Sequence, residues 1–230
     1  NMLIEFFSAP IIDFNQIGDI FITLSFDKRL IHNYPEQFLD LDVRIKQTIL
    51  SCKGNKVDTI IQLNQNLDYK NHWVYEDTRI TGIKCNNKHL LASGIKDNSL
   101  IFLELITIAS SSSNSNSSCS ININFNDRYL TSISPSSISL LEDKIIVAGT
   151  HGFTQATTGS VLSYGNAFIH EYNTQLALIK KLDIYGRKNS TIHSLNIYEN
   201  ILYFFSYLDR PLTHERKDAP SYVGIYKSEI

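Results

Sequence analysis

Apolar and polar positions follow one order four times along the chain. Residues 11–34, IIDFNQIGDIFITLSFDKRLIHNY, give an apolar start, a turn at Gln16–Asp19, a strand over Ile20–Phe26, a tight polar turn at Asp27–Arg29 and a strand over Leu30–Tyr34. Residues 80–106 repeat the order, with turns at Asn86–Lys88 and Lys96–Ser99 and strands at Leu90–Ile95 and Leu100–Ile106. A third copy starts at Ile138, turns at Glu142–Lys144 and runs through Ile145–Thr150, an excursion at His151–Gly165 and a strand at Asn166–Tyr172. The fourth starts at Ile192, turns at Glu199–Asn200, and continues through Ile201–Tyr207, an excursion at Leu208–Pro220 and a last strand at Ser221–Lys227. Short apolar runs bounded by Asn, Asp and Ser clusters predict strands.

The matched strands begin at Ile20, Leu90, Ile145 and Ile201, at intervals of 70, 55 and 56 residues. A standard WD blade takes about 40–45 residues and a kelch blade about 50, so each interval has room for an outer strand and an insertion. Val57–Leu63, Ser120–Phe125 and Leu176–Leu182 are the candidate outer strands, which completes the four strands of a propeller blade. The chain thus resembles WD-repeat-like β-propellers, most clearly in LLASGIKDNSLIFLEL. It departs from them in having no Gly-His pair before a repeat and no Trp-Asp pair closing one; Tyr34, Leu105 and Tyr172 stand near the place of the Trp. The third and fourth copies are more loosely similar to the propellers of the damaged-DNA-binding and polyadenylation-factor large subunits, in the segments IIVAGT, NAFIHEY and ILYFFS. The resemblance implies an all-β fold: a propeller or partial propeller of about four irregular four-stranded blades, as one domain over 1–230 or as part of a larger propeller.

Composition points the same way. Twelve Tyr and twelve Phe accompany many Ile, while Ala and Met are scarce, and β-branched and aromatic residues suit a pleated, half-buried surface. Two stretches depart from the pattern. The tract SSSSNSNSSCS at Ser110–Ser120 has too little apolar surface to offset its ordering entropy; it reads as a disordered loop tip, or alternatively as a phosphorylated switch. Within Glu36–Leu50, Phe38, Leu39, Leu41, Val43, Ile45, Ile49 and Leu50 form an imperfect helical face, which predicts a short surface helix between blades.

A net charge of -2 and a pI near 6.4 produce no long-range field toward a phosphate backbone or an anionic membrane. Cys52, Cys85 and Cys119 are odd in number and lack a C-x-x-C pair, so neither a disulfide framework nor a zinc knuckle is expected. A reducing compartment, cytoplasm or nucleus, fits them. The sequons at Asn116 and Asn189 are the kind that arise by chance in an Asn- and Ser-rich chain. No segment reaches the ~18 apolar residues of a membrane span. Met2 follows Asn1, as expected of a processed or trimmed piece of something longer.

Catalytic patterns are sparse. Nucleophile-elbow and phosphate-loop motifs are absent, and GTHGFTQATTGS at Gly149–Ser160 reads as a long hairpin loop, with a loop that wraps an anion as the alternative. The seven histidines show no metal-binding spacing; no cofactor or metal is expected. Asp27, Asp97 and Asp209 recur after the second strands. They read as turn residues that accept hydrogen bonds from their own backbone, with paired acid–base carboxylates as the alternative. Partner binding has two candidate regions. Arg210, His214, Arg216 and Lys217 lie among Asp209, Glu215 and Asp218 in LDRPLTHERKDAP, which reads first as a solvated mixed-charge loop and alternatively as a binding loop, since guanidinium forks suit interfaces. Trp73 and Tyr75 in NHWVYED are common interface anchors or, equally, core residues. The leading expectation is a non-enzymatic protein–protein interaction scaffold in an intracellular multiprotein complex. The alternatives are a carboxylate-based hydrolase or lyase with a central pocket, and a nucleic-acid-binding subunit using Lys84, Lys88 and Lys96 or the basic cluster at 180–188.

Overall fold

Short apolar runs, some alternating with polar positions and some continuous, build fifteen strands among the residues that the computed structural model describes: 11–29, 41–97, 100–108, 117–125, 132–157, 160–184, 190–198, 201–208 and 222–229. The first sheet contains β1 (Ile11–Phe14), β2 (Ile20–Asp27), β3 (Lys56–Leu63) and β4 (Tyr69–Glu76). The second contains β5 (Thr78–Cys85), β6 (His89–Lys96), β7 (Leu100–Thr107) and β8 (Ser118–Ile123). The third contains β9 (Ser132–Leu140), β10 (Lys144–Thr157), β11 (Ser160–Asn173) and β12 (Leu178–Ile184), and the fourth β13 (Ser190–Tyr198), β14 (Ile201–Leu208) and β15 (Tyr222–Glu229). In every sheet the strands follow chain order and pair antiparallel.

Successive side chains of a strand point to opposite faces, and here both faces of the middle sheets are buried. Ile101, Leu103 and Leu105 of β7 pack with Ile145, Val147 and Phe168 of the third sheet. Phe102 and Ile106 of the same strand pack with Phe21, Ile60 and Tyr75 of the first. Ile146, Ala148, Ala167 and Ile169 repeat the arrangement against Ile192 and Leu202 of the fourth sheet. That double burial explains why the segments IFLEL and IIVA run almost without polar interruption. The sheets therefore stack in chain order, and their first strands adjoin: β1 lies against β5, β5 against β9, and β9 against β13.

Three sheets share a local irregularity at one position. Register shifts set Thr81, Ser136 and His193 as extra residues in the first strands β5, β9 and β13. The sixth residue of each second strand, Gly94, Gly149 and Ser206, flanks the shift. Such bulges bend a strand and re-aim its backbone groups. First strands are also sheet edges, whose outward N–H groups need acceptors, and side chains of the preceding sheet supply them. Asp58 Oδ2 accepts from Ile80 N at 2.6 Å, Asp13 Oδ2 from Cys85 N at 2.7 Å, and Ser137 Oγ from Leu195 N at 3.1 Å.

Asp58 makes this device measurable. Burial holds its carboxyl above the ordinary range, against the opposing pull of Ser25, the Ile80 N–H and Arg79. The folded protein therefore keeps this proton to higher pH than the unfolded chain does. The stability contributed by the protonated form is complete below the unfolded pKa of about 3.9 and is lost as pH rises through the raised folded value. Asp58→Asn keeps an acceptor for Ile80 without the titration. Its stability relative to the parent is expected to climb across that window and then level off. Urea denaturation at a series of pH values measures the difference, and a pH-independent difference would refute the assignment.

The helix differs from expectation in place and in burial. α1 (Val43–Ser51) begins at Asp42, whose side chain accepts from Arg44 N at 2.9 Å, a standard N-cap bond. It lies within the first sheet, in the insertion joining β2 to β3, and covers the face turned away from the second sheet. Ile45 and Ile49 pack there with Phe26, Val57 and Ile61, whereas Val43 and Leu50 are exposed. A polar tether assists: Arg44 stands 3.8 Å over the Tyr69 ring, and His72 bridges the Tyr69 hydroxyl at 2.6 Å and the Thr48 hydroxyl at 3.0 Å.

The insertion also corrects the strand order of the first sheet. β2 pairs directly with β3, from Ile20↔Leu63 to Asp27↔Lys56, so Val57–Leu63 is the third strand and β4 the outer one. Leu30–Tyr34 lies outside the described residues. The excursion at His151–Gly165 is strand: β10 and β11 pair without a break from Lys144↔Asn173 to Thr157↔Ser160. Of the Ser110–Ser120 tract, residues 110–116 lie outside the description, and Ser118 already starts β8. The fourth sheet has three described strands where four were expected.

Candidate functional site

Trp73 and Tyr75 alternate with Val74 on β4, which places both on the face that meets the second sheet. Tyr75 is 8% exposed, and its ring meets Phe102 edge-on at 5.7 Å. Burial pushes its phenol far up, with the Glu104 carboxylate adding to the effect. Trp73 is half-buried, 6.4 Å from Phe21. This aromatic pair joins the first two sheets, and only part of the Trp73 indole faces solvent. Arg210, His214, Arg216 and Lys217 lie outside the described residues.

Of the recurring aspartates, Asp27 ends β2 and Asp97 sits in a turn. Asp27 accepts from Arg29 N at 3.1 Å and from the Arg29 guanidinium at 2.9 and 2.5 Å, which pulls its carboxyl down to about 2. Asp97 occupies the left-handed region at φ 51, a conformation that Asp tolerates in tight turns. Asp209 lies outside the described residues. The glycine-rich stretch from Gly149 runs along β10 to Thr157, where its backbone is paired with β11 and is not arranged to wrap an anion. Lys84 stands 3.8 Å from Asp13.

A denser cluster lies between the second and third sheets, and its members are far apart in sequence. Phe125, just beyond β8, stacks on His151 with ring centroids 4.0 Å apart and planes 8° from parallel. It also meets Phe168 at 4.8 Å and His170 at 5.6 Å. His170 Nδ1 lies 3.1 Å from the Tyr172 hydroxyl, and His170 Nε2 lies 3.4 Å from Asp183 Oδ1. Burial lowers the His170 pKa against the opposing pull of Asp183, and it pushes the Tyr172 phenol up. The imidazole links β11 to β12. The arrangement orders His170 through a hydroxyl and a carboxylate, yet Tyr172 is 3% exposed, so its position is that of a buried strut.

The sequence pattern puts His170 on a strand and His151 in an excursion, and no motif marks Phe125 or Asp183. The apolar run IIVAG leading into it was the nearest signal for His151. Among the described residues no group of three or more His, Cys, Asp or Glu side chains is arranged to hold a metal, and no described helix is long and apolar enough to cross a membrane. No protein-family model matches the chain, and a search of curated proteins finds no match.

Proposed function

We propose that the four sheets are successive blades of a β-propeller, or of a section of one, and that the chain acts as a non-enzymatic interaction scaffold in an intracellular assembly. The observation that carries this reading is the side-by-side run of first strands, β1 on β5 on β9 on β13. The bulge recurring at one position in three of the sheets reinforces it. Propeller blades stack in this sequence about a common axis, and repeat stacks of this kind serve as rigid platforms whose edges and loops remain available to partners. Fold alone does not determine function, so the scaffold reading needs a direct test. The tagged chain, purified after crosslinking in its own cells, is expected to bring down the same proteins in fixed ratio, and these should rebind the purified chain. Exchange of Arg210, Arg216 and Lys217 for alanine is expected to weaken that recovery. A chain that sediments in extract at the size of the purified protein, with nothing bound, would overturn the reading.

A further inference from the structure

We propose that the outer edge of β12 receives an extended partner segment, aliphatic and carrying carboxylates, as an additional strand of the third sheet. This deepens the scaffold reading and rests on it. β12 ends its sheet, with β11 on one side. Its sequence, LIKKLDI, is unlike the outer edges β4 and β8. Leu178, Ile179 and Leu182 are 52%, 56% and 47% exposed, and Lys180 and Lys181 between them are exposed too. By contrast β8 turns Ser118, Ser120 and Asn122 to solvent and packs Cys119, Ile121 and Ile123 on the core. β4 buries Tyr75 and half-buries Trp73.

An edge strand offers a row of backbone donors and acceptors to any chain that can lie alongside, and exposed aliphatic side chains add apolar area to that pairing. Charge selects the occupant. A second copy paired antiparallel along the whole strand, Leu178 against Ile184, would set Lys181 directly on its counterpart, and it would also have to run across the irregularity at Ile179, which the pairing with β11 skips. Like charges facing each other across a ladder destabilise it. Lys180 and Lys181, as neighbours, point to opposite faces, so an acidic segment finds a cation on either face. Asp183 offsets this charge only in part. Its carboxylate stands 3.5 Å from Lys181 Nζ and is also held 3.4 Å from His170 inside the sheet.

The probes are two capped synthetic peptides, one of alternating valine and glutamate and one of alternating valine and lysine, titrated calorimetrically into the full chain. The glutamate peptide is expected to bind about tenfold more tightly than the lysine peptide, the scale of a few exposed ion pairs turned from repulsion to attraction. Added salt should narrow the difference. Lys180→Glu with Lys181→Glu should reverse the order, with circular dichroism unchanged because both positions are exposed. Hydrogen exchange should slow at β12 when peptide is bound. Equal binding of the two peptides, no binding, or an order unaffected by the charge reversal would overturn the proposal. So would a concentration-dependent dimer in sedimentation equilibrium that the reversal abolishes, since the occupant would then be a second copy. If partners are recovered from cells while the peptides fail, the edge assignment falls alone. If no partner is recovered, the scaffold reading falls.

Discussion

Phe168→Ala is expected to lower the free energy of unfolding by about 3–5 kcal/mol, the usual cost of truncating a buried phenylalanine. Phe168 is fully buried and belongs to the cluster that joins the second and third sheets. Its ring also supports Phe125 at 4.8 Å and His170 at 5.0 Å, so the cavity would lie under the aromatic stack and cannot close by one rotamer change. A loss of this size is a large share of the ~5–15 kcal/mol that holds a typical domain folded. Phe168→Leu, which fills more of the space, should cost less. The single tryptophan gives a second readout. Trp73 sits at the junction of the first and second sheets, away from the substituted site. In a stack whose sheets are coupled mainly to their neighbours, weakening the second junction should let the third and fourth sheets unfold first. The far-ultraviolet transition of Phe168→Ala is therefore expected to precede the Trp73 fluorescence transition, whereas the parent should show the two together. If both signals shift equally, the sheets form one cooperative unit and the coupling argument is wrong.

The second sheet was the most legible, its middle strands falling within a residue of expectation and its outer strand two residues earlier. Its turns at Asn86–Lys88 and Lys96–Ser99 are short and polar, and the doubly buried run IFLEL cannot be satisfied by a helix of that length. The first sheet was not, because the insertion between Asp27 and Lys56 separates strands that pair directly, and no pattern within one strand names its neighbour. β4 was hidden for a different reason: Lys70, Asn71 and His72 interrupt its apolar positions. The long hairpin of β10 and β11 is held by backbone pairing, which leaves little trace in side-chain polarity beyond His151. At the site level, Trp73 and Tyr75 illustrate an ambiguity of the residue types themselves. An aromatic body with one polar atom fits a junction between sheets as well as a junction between proteins, and only burial tells the two apart. The His170 strut needed Asp183, brought alongside by the pairing of β12 with β11, and Phe125, brought in by packing of the second sheet on the third; only Tyr172 shares the strand of His170. Bulges are relations between strands; their one hint was the small residues Ser93–Gly94 and Ala148–Gly149, which the strand pattern displayed without explaining.

Those small residues lead to the other large expected effect. A Cβ placed on Gly94 would stand 2.4 Å from the Arg79 carbonyl oxygen, 3.1 Å from its carbonyl carbon and 3.2 Å from Ile80 Cα. All three are backbone atoms of β5, and they approach because the bulge at Thr81 turns the chain inward opposite Gly94. Gly94→Ala therefore cannot be accommodated by a side-chain rotation; β5 has to move away from β6. That movement also stretches the 2.6 Å bond from Ile80 N to the buried Asp58 carboxylate, so one methyl group disturbs both the second sheet and its junction with the first. A cost of about 3 kcal/mol is expected, the upper part of the range for overpacking, with Gly94→Val worse. Gly82 provides the comparison. Its added Cβ would meet the Ser93 hydroxyl at 2.9 Å and Ile138 Cδ1 at 3.4 Å, both at the ends of side chains that can turn aside. Gly82→Ala should cost clearly less, and combining it with Ser93→Ala should recover most of the loss. Adding Ser93→Ala to Gly94→Ala should recover nothing. Chemical denaturation of the five variants reads this order directly. Equal costs for Gly82→Ala and Gly94→Ala would mean that β5 yields as readily as a side chain, and that the bulge is not the rigid contact from which the second sheet takes its register.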